Sequence, residues 1–142
     1  MTRWLYMANH AGTMTPVIQQ TVRFRTTPHA LFEMYLDSKK HSKSTGMKSR
    51  INRKAGGRFR TFAGMLEGKN LAIVPDRQIV QAWRATHWKK EDWSILILTF
   101  SKVPGGAQID LVHVGVPAYD HKGVRQGWPK YYWKPWKKFL GK

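Results

Sequence analysis

The chain has 142 residues, the length of one domain, and carries 25 Lys and Arg against 8 Asp and Glu, a formal charge of +17. Hydrophobic residues make up 42% of it, with seven Trp, six Phe and five Tyr, which is too much for a disordered basic tail and enough for one core. It has no cysteine, which excludes disulfides, thiolate metal sites and cysteine nucleophiles.

The first ten residues contain a single Arg and no continuous apolar run of signal-peptide length, so no export signal is read and the cytoplasm is the expected compartment. No stretch reaches the ~20 apolar residues of a membrane span. Residues 1–15 lack periodicity and read as a mobile N-terminal extension. Residues 16–142, free of repeats and low-complexity linkers, read as one domain. A first strand is expected over Val17–Arg25, where β-forming residues alternate toward the end. Thr26-Thr27-Pro28 then starts a helix with a capping Thr and Pro in the first turn, carrying Leu31, Phe32, Tyr35 and Leu36 inward. A second short helix opens at Asp37-Ser38 and ends before Gly46. Strands follow over Arg58–Phe62, Met65–Val74, Gln78–Arg84, Ser94–Ser101 and Gln108–Val116, punctuated by Gly and Pro, the pattern of an antiparallel sheet. The last segment, Val124–Leu140, is helical in spacing, with Trp128, Tyr132, Trp136 and Phe139 on one face. Pro129 and Pro135 are expected to kink it or delay its start. The sum is an α+β layout with a long helix against a curved sheet.

The landmarks Ser44-Thr45-Gly46, Gly56-Gly57-Arg58-Phe59, Phe62-x-Gly64, Gly68, Pro75 and Ile79-Val80-Gln81-Ala82-Trp83-Arg84 stand in this order. They are followed by His113-x-Gly115-Val116-Pro117, Gly127-Trp128 and Tyr132-Trp133-Lys134-Pro135. Together they resemble the activator-of-Hsp90-ATPase-homologue family of the START-like (SRPBCC) superfamily, from about Val17 to Leu140. The resemblance implies the helix-grip fold: an antiparallel sheet of about seven strands wrapped around a long C-terminal helix, two short helices after the first strand, and an apolar cavity between sheet and helix. It also implies an Hsp90-type chaperone as partner. The chain is too short to include the separate N-terminal domain of the eukaryotic activator, so weak or no ATPase stimulation is expected. The departure from the family is electrostatic: residues 38–66 hold nine Lys and Arg and no Asp or Glu.

Strand alternation groups Leu96, Leu98 and Phe100 on one face, and Ile109, Leu111 and His113 on one face of the next strand. With Phe59, Trp83, Trp128 and Tyr132, these are the candidate lining of a cavity for a small apolar or amphipathic ligand. The alternative is that they pack the core, with His113 bonded to a backbone group or a hydroxyl. A basic patch of Lys39, Lys40, Lys43, Lys48, Arg50, Arg53 and Lys54 is the candidate surface for an acidic protein partner. A second basic group, Lys130, Lys134, Lys137, Lys138 and Lys142, interleaves with Tyr131, Tyr132, Trp133 and Trp136, a composition suited to non-specific nucleic-acid binding. None of the six His residues has metal-ligand spacing, no nucleophile motif occurs, and no cofactor or metal is expected. His121 reads as a solvated loop residue. The leading reading is a non-enzymatic ligand-binding protein, and a chaperone-docking module is the alternative. A cyclase- or hydrolase-like enzyme stands third, with His113 as its one acid/base candidate.

Overall fold

The computed structural model describes residues 15–141 of the chain. The proposed extension over residues 1–15 therefore lies outside the described residues except for Thr15, and Lys142 lies outside them too. The first strand, β1 (Ile18–Phe24), turns Ile18 and Phe24 inward. At Thr27 the backbone is extended and the side chain accepts a hydrogen bond from the Ala30 amide, which starts α1 (Pro28–Leu36). That helix buries Leu31, Phe32, Met34, Tyr35 and Leu36. Asp37 ends it in an extended conformation and caps the next helix by accepting from the Lys40 amide. The second helix, α2 (Ser38–Thr45), stops at Gly46, whose φ of 80° is the left-handed geometry that closes helices.

The remaining strands are β2 (Arg50–Ile51), β3 (Arg58–Thr61), β4 (Leu66–Val74), β5 (Gln78–Ala85), β6 (Ser94–Val103) and β7 (Gly106–Val114). They join β1 in one seven-stranded antiparallel sheet of order β1-β7-β6-β5-β4-β3-β2. The other expected strands hold to within two residues at either end, and two features near the start of the hairpins depart further in kind. The two-residue β2 was not anticipated, and the strand expected over Arg58–Phe62 stops one residue earlier. Phe62 and Ala63 instead turn through φ of 53° and 55°, a left-handed path unusual for side-chain-bearing residues, in the 3-10 turn Phe62–Gly64. Behind this turn Gly68 sits opposite Phe59 on one side and Trp83 on the other. A Cβ there would lie 2.0 Å from the Ala82 carbonyl oxygen and 2.5 Å from the Phe59 ring, so only glycine lets the Phe59 ring and the β5 backbone come this close to β4.

After a 3-10 turn (Ala118–Asp120), one helical run closes the fold: α3 (His121–Gly127), a π-helical turn (Trp128–Trp133) and α4 (Lys134–Leu140). It starts at His121, ahead of both prolines, and stays helical through them. Pro129 has no N–H to donate to the Arg125 carbonyl one turn back, and the Gln20 side-chain amide of β1 donates there instead at 2.9 Å. The same Gln20 accepts from the Trp133 indole at 2.8 Å, so one side chain ties the first strand to the closing helix twice. The π turn widens the helix, and the Lys134 amide reaches back to the Pro129 carbonyl. The aromatic face survives this change of pitch. Trp128, Tyr132, Trp133 and Trp136 are buried, with Trp136 packed against the Phe24, Tyr132 and Trp133 rings. His121 belongs to this helix rather than to a loop, and its Nε2 donates to the Pro16 carbonyl at 2.8 Å.

Candidate functional site

A groove of about 470 Å³ opens where the end of the β4–β5 ladder meets the closing helix. The sheet supplies Leu66, Trp83 and Ala85, the loop after β5 supplies Thr86 and His87, and the 3-10 turn supplies Phe62, with Met65 beside it. The helical wall carries Asp120, Gly123, Val124, Gly127, Trp128, Tyr131 and Tyr132. The walls are mostly apolar, and the polar groups are few. Asp120 is the one carboxylate, and its Oδ2 accepts from the Trp88 indole at 2.8 Å with His87 Nε2 3.4 Å away. Its Oδ1 lies so close to Gly123 that a Cβ there would stand 2.5 Å from it.

The loop that forms this rim is fixed from below. Arg84 is buried on β5, pairs with Glu67 at 2.7 Å, and donates to the backbone carbonyls of Trp88, Lys89 and Asp92. A guanidinium offers five donors in a rigid fork, which suits one side chain to gathering a whole loop. Further out, the Tyr119 hydroxyl donates to Asp92 and accepts from the Lys89 amide, holding the same loop from the helix side.

The sequence-read cavity residues divide between groove and core. Trp83, Trp128 and Tyr132 line the groove. Phe59, Leu96, Leu98, Phe100, Ile109, Leu111 and His113 do not; they are buried in the core. The reason is geometric: α1 lies over that part of the sheet, and its Phe32 ring meets the Phe100 ring at 5.7 Å, filling the space a central cavity would need.

His113 is fully engaged. The Trp128 indole, which can only donate, reaches its Nδ1 at 3.2 Å, so the ring proton sits on Nε2 and is given to the Ser94 hydroxyl at 2.8 Å. Ser94 passes its own proton to the Trp83 carbonyl at 2.6 Å. Burial, with a smaller contribution from His121, holds the imidazole neutral by lowering its pKa to about 3. Neither ring nitrogen faces the groove with a free valence, so the acid/base position assigned to this residue on sequence grounds has no support in its surroundings.

A second buried imidazole, which sequence reasoning missed, lies between groove and surface. His41 places Nε2 2.9 Å from the Tyr132 hydroxyl and Nδ1 2.8 Å from the Ser49 hydroxyl. Burial lowers its pKa to about 3 and pushes the Tyr132 phenol up. Beside it Tyr35, also pushed up by burial, donates to Gln81 at 2.8 Å, and Gln81 donates to Asn70 at 2.9 Å. The sequence did hold a signal for His41. The segment Ser38–Thr45 has no apolar residue, so the side chain that anchors α2 to the core must come from a polar type.

The basic residues sit on the other side of α2. Lys39, Lys40, Lys43 and Lys48 ring a shallow concavity around Gly46 and Met47. Arg50 and Lys54 are exposed nearby. Arg53 is engaged in a two-point pair with Glu33, at 2.9 and 2.6 Å, which lowers the Glu33 pKa and raises that of Arg53. In the second basic group, Tyr132, Trp133 and Trp136 are buried, and Tyr131 alone is half-exposed, with the Lys130 ammonium 5.2 Å above its ring. Among the described residues no group of three or more His, Asp or Glu is placed to hold a metal ion, and no helix is long and apolar enough to cross a membrane.

Residues 25–141 match the family model described as "Activator of Hsp90 ATPase homolog 1-like protein". The chain is 26% identical over 136 residues to activator of 90 kDa heat shock protein ATPase homolog 1 from Homo sapiens, covering 94% of this chain and 40% of that protein. The corresponding Dictyostelium discoideum activator homolog is 25% identical over 118 residues, covering 82% of this chain and 30% of the relative. The chain thus spans less than half the length of these relatives. Among solved structures, an HSP90 activator from Plasmodium falciparum superposes with a TM-score of 0.82 at 24% identity, over 89% of this chain and 97% of that one. The Aha1 protein of Colwellia psychrerythraea, solved as a dimer, gives 0.74 at 11% identity, over 89% of this chain and 96% of its own. At such identities the superpositions speak for the fold alone, and the fold they share is the helix grip. With its family model running from Arg25 through the closing helix, the chain belongs to the activator of Hsp90 ATPase homolog 1-like family, on a START-like helix-grip scaffold.

Proposed function

We propose that this protein holds a small apolar or amphipathic ligand in the groove between the β4–β5 end of the sheet and the closing helix, in the cytoplasm and without catalysis. The observation that carries the reading is the groove itself. Its volume of about 470 Å³ lies within the range of small-molecule sites, and its walls are apolar with a few polar groups at one end. Two neighbouring features support it. The left-handed turn at Phe62 and Ala63 is backbone strain placed at the groove wall, where strain commonly accompanies function. Arg84 also commits a buried charge to fixing the rim loop. An apolar ligand found by thermal-shift screening and confirmed by native mass spectrometry should stabilise the fold by about 2.7 kcal/mol at 100 times its dissociation constant. Gly127→Leu, whose side chain would project into the groove, should abolish that gain. Equal stabilisation of the variant would move the ligand elsewhere.

The second reading is a docking module for an acidic surface of a 90 kDa heat shock protein. It is favoured by the named activity of the relatives and by the four lysines on one face of α2 and the turn after it. Reversing Lys39, Lys40 and Lys43 to Glu should weaken capture of such a chaperone by at least about tenfold at low salt, and the loss should shrink as salt screens the wild-type contact. Unchanged capture would remove the patch from the interface. Displacement of the chaperone by any homopolymeric nucleic acid would reduce the patch to a counterion effect.

A further inference from the structure

The ligand reading leaves the occupant's chemistry open, and the charge of the groove narrows it. The chain carries 25 Lys and Arg against 8 Asp and Glu, yet the residues lining the groove include no Lys or Arg and one carboxylate, Asp120. Arg84, behind the rim, is committed to Glu67 and to three loop carbonyls, and Lys130 is held over the Tyr131 ring at 5.2 Å. Asp120 itself is open, with its side chain 22% exposed. The Trp88 indole takes Oδ2, and His87 Nε2 stands 3.4 Å from the same atom. Among the described residues nothing donates to Oδ1, which caps no helix amide. Oδ1 lies instead against Gly123 in the groove's helical wall. A glycine inside a helix costs about 1 kcal/mol relative to alanine, and here any side chain would displace that oxygen.

We infer that the groove's occupant is an amphipathic cation, an apolar body bearing a protonated amine, whose ammonium pairs with the Asp120 carboxylate. The inference rests on the ligand reading above. Any ligand that fills the groove takes water from Asp120, and a carboxylate stripped of water without a partner is costly. A hydrocarbon leaves that cost standing. A hydroxyl returns one hydrogen bond and no opposing charge. A carboxylate or phosphate adds a second negative charge where the lining has no Lys or Arg to receive it. An ammonium supplies charge and donors together, and the Trp128, Tyr131 and Tyr132 rings of the same wall suit a cation. The net charge of +17 opposes a cation from a distance. Salt screens that field beyond about 8 Å under physiological conditions, and a partly buried contact pair far less.

The test uses two naphthalene probes with the same four-carbon chain, one ending in an amine and one in a hydroxyl. Each is titrated calorimetrically, in about 0.15 M salt, against the full chain and its Asp120→Asn variant. The variant keeps an oxygen for the Trp88 indole and deletes the charge. The amine should lose at least about tenfold more affinity than the alcohol on this substitution, a cycle that cancels the probes' different solubilities. If the amine-to-alcohol ratio is the same in both proteins, Asp120 does not meet the occupant, and the cation inference falls while the ligand reading stands. If neither probe binds the wild-type protein, both fall together. Should Asp120→Asn fail to fold, the wild-type protein is titrated with the same probe ending in a carboxylate. The amine should bind at least about tenfold more tightly than this acid, and equal or reversed affinities would overturn the inference.

Discussion

Lowering the pH from 7 to 4 should remove on the order of 6 kcal/mol of stability, comparable with the whole net stability of a small domain. The cause is a pair of buried neutral imidazoles. His41 and His113 each have a pKa lowered from 6.5 to about 3 in the fold, chiefly by burial. Between those values the unfolded chain binds protons that the folded chain refuses, so stability rises with pH through this window. Their contribution is complete above pH 6.5 and is lost as pH falls toward 3, at about 1.4 kcal/mol per pH unit for each group. Glu33, lowered by its pair with Arg53, adds a later loss once pH drops below the ordinary carboxylate range. Urea midpoints at pH 7, 6, 5 and 4 would measure the slope. His41→Gln should roughly halve it. A profile flat from pH 6.5 to 4 would mean that both rings accept protons in place, against their burial and their bonding.

Three substitutions of tryptophan should separate packing from hydrogen bonding. Trp136 is 0% exposed at the meeting of β1 and the closing helix, and Trp136→Ala is expected to cost about 3–5 kcal/mol, the range for deleting a buried large aromatic. Its N–H has no partner, so Trp136→Phe should lose packing alone. Trp128→Phe removes the same ring volume but also strips His113 Nδ1 of its donor, and should cost about 1–3 kcal/mol more than Trp136→Phe. Chemical denaturation of the three variants at pH 7 gives the comparison. Equal costs for the two Phe variants would show that the Trp128–His113 bond contributes nothing beyond what water offers the unfolded chain.

The elements that could be read from sequence were those written in adjacent residues. Thr27-Pro28, Asp37 and Gly46 mark helix ends through short-range capping, and the alternation of β5, β6 and β7 marks their buried face. What could not be read was decided by distant partners. The two residues of β2 are a strand only because Phe59 and Arg60 pair with them. Pro129 was expected to kink the helix or delay its start by a local rule, and the carbonyl it leaves free is bonded by Gln20, far away in the chain. The basic run from Lys39 to Lys54 reads as uniformly free charge, yet Arg53 is already held by Glu33. The site followed the same division. Trp83, Trp128 and Tyr132 were recognisable as large aromatics on the right elements. The groove's displacement to the sheet end depends on α1 covering the centre and on a left-handed turn at Phe62 that no residue preference announces.

The π-helical turn over Trp128–Trp133 also stores one residue of slack between two halves of one helix. Gly123, Val124 and Gly127, before it, face the groove, while Trp136, beyond it, faces the core. In an α-helix each residue advances the side chains by about 100°. A π turn takes up one residue more than an α-helix does for nearly the same net rotation, so deleting one residue inside it would restore a regular α-helix and leave Trp136 and Phe139 on the sheet. The same deletion within α3 or α4 would turn the residues beyond it by about 100° and carry one face off its partner. A change of length in the closing helix is therefore best borne at the π turn.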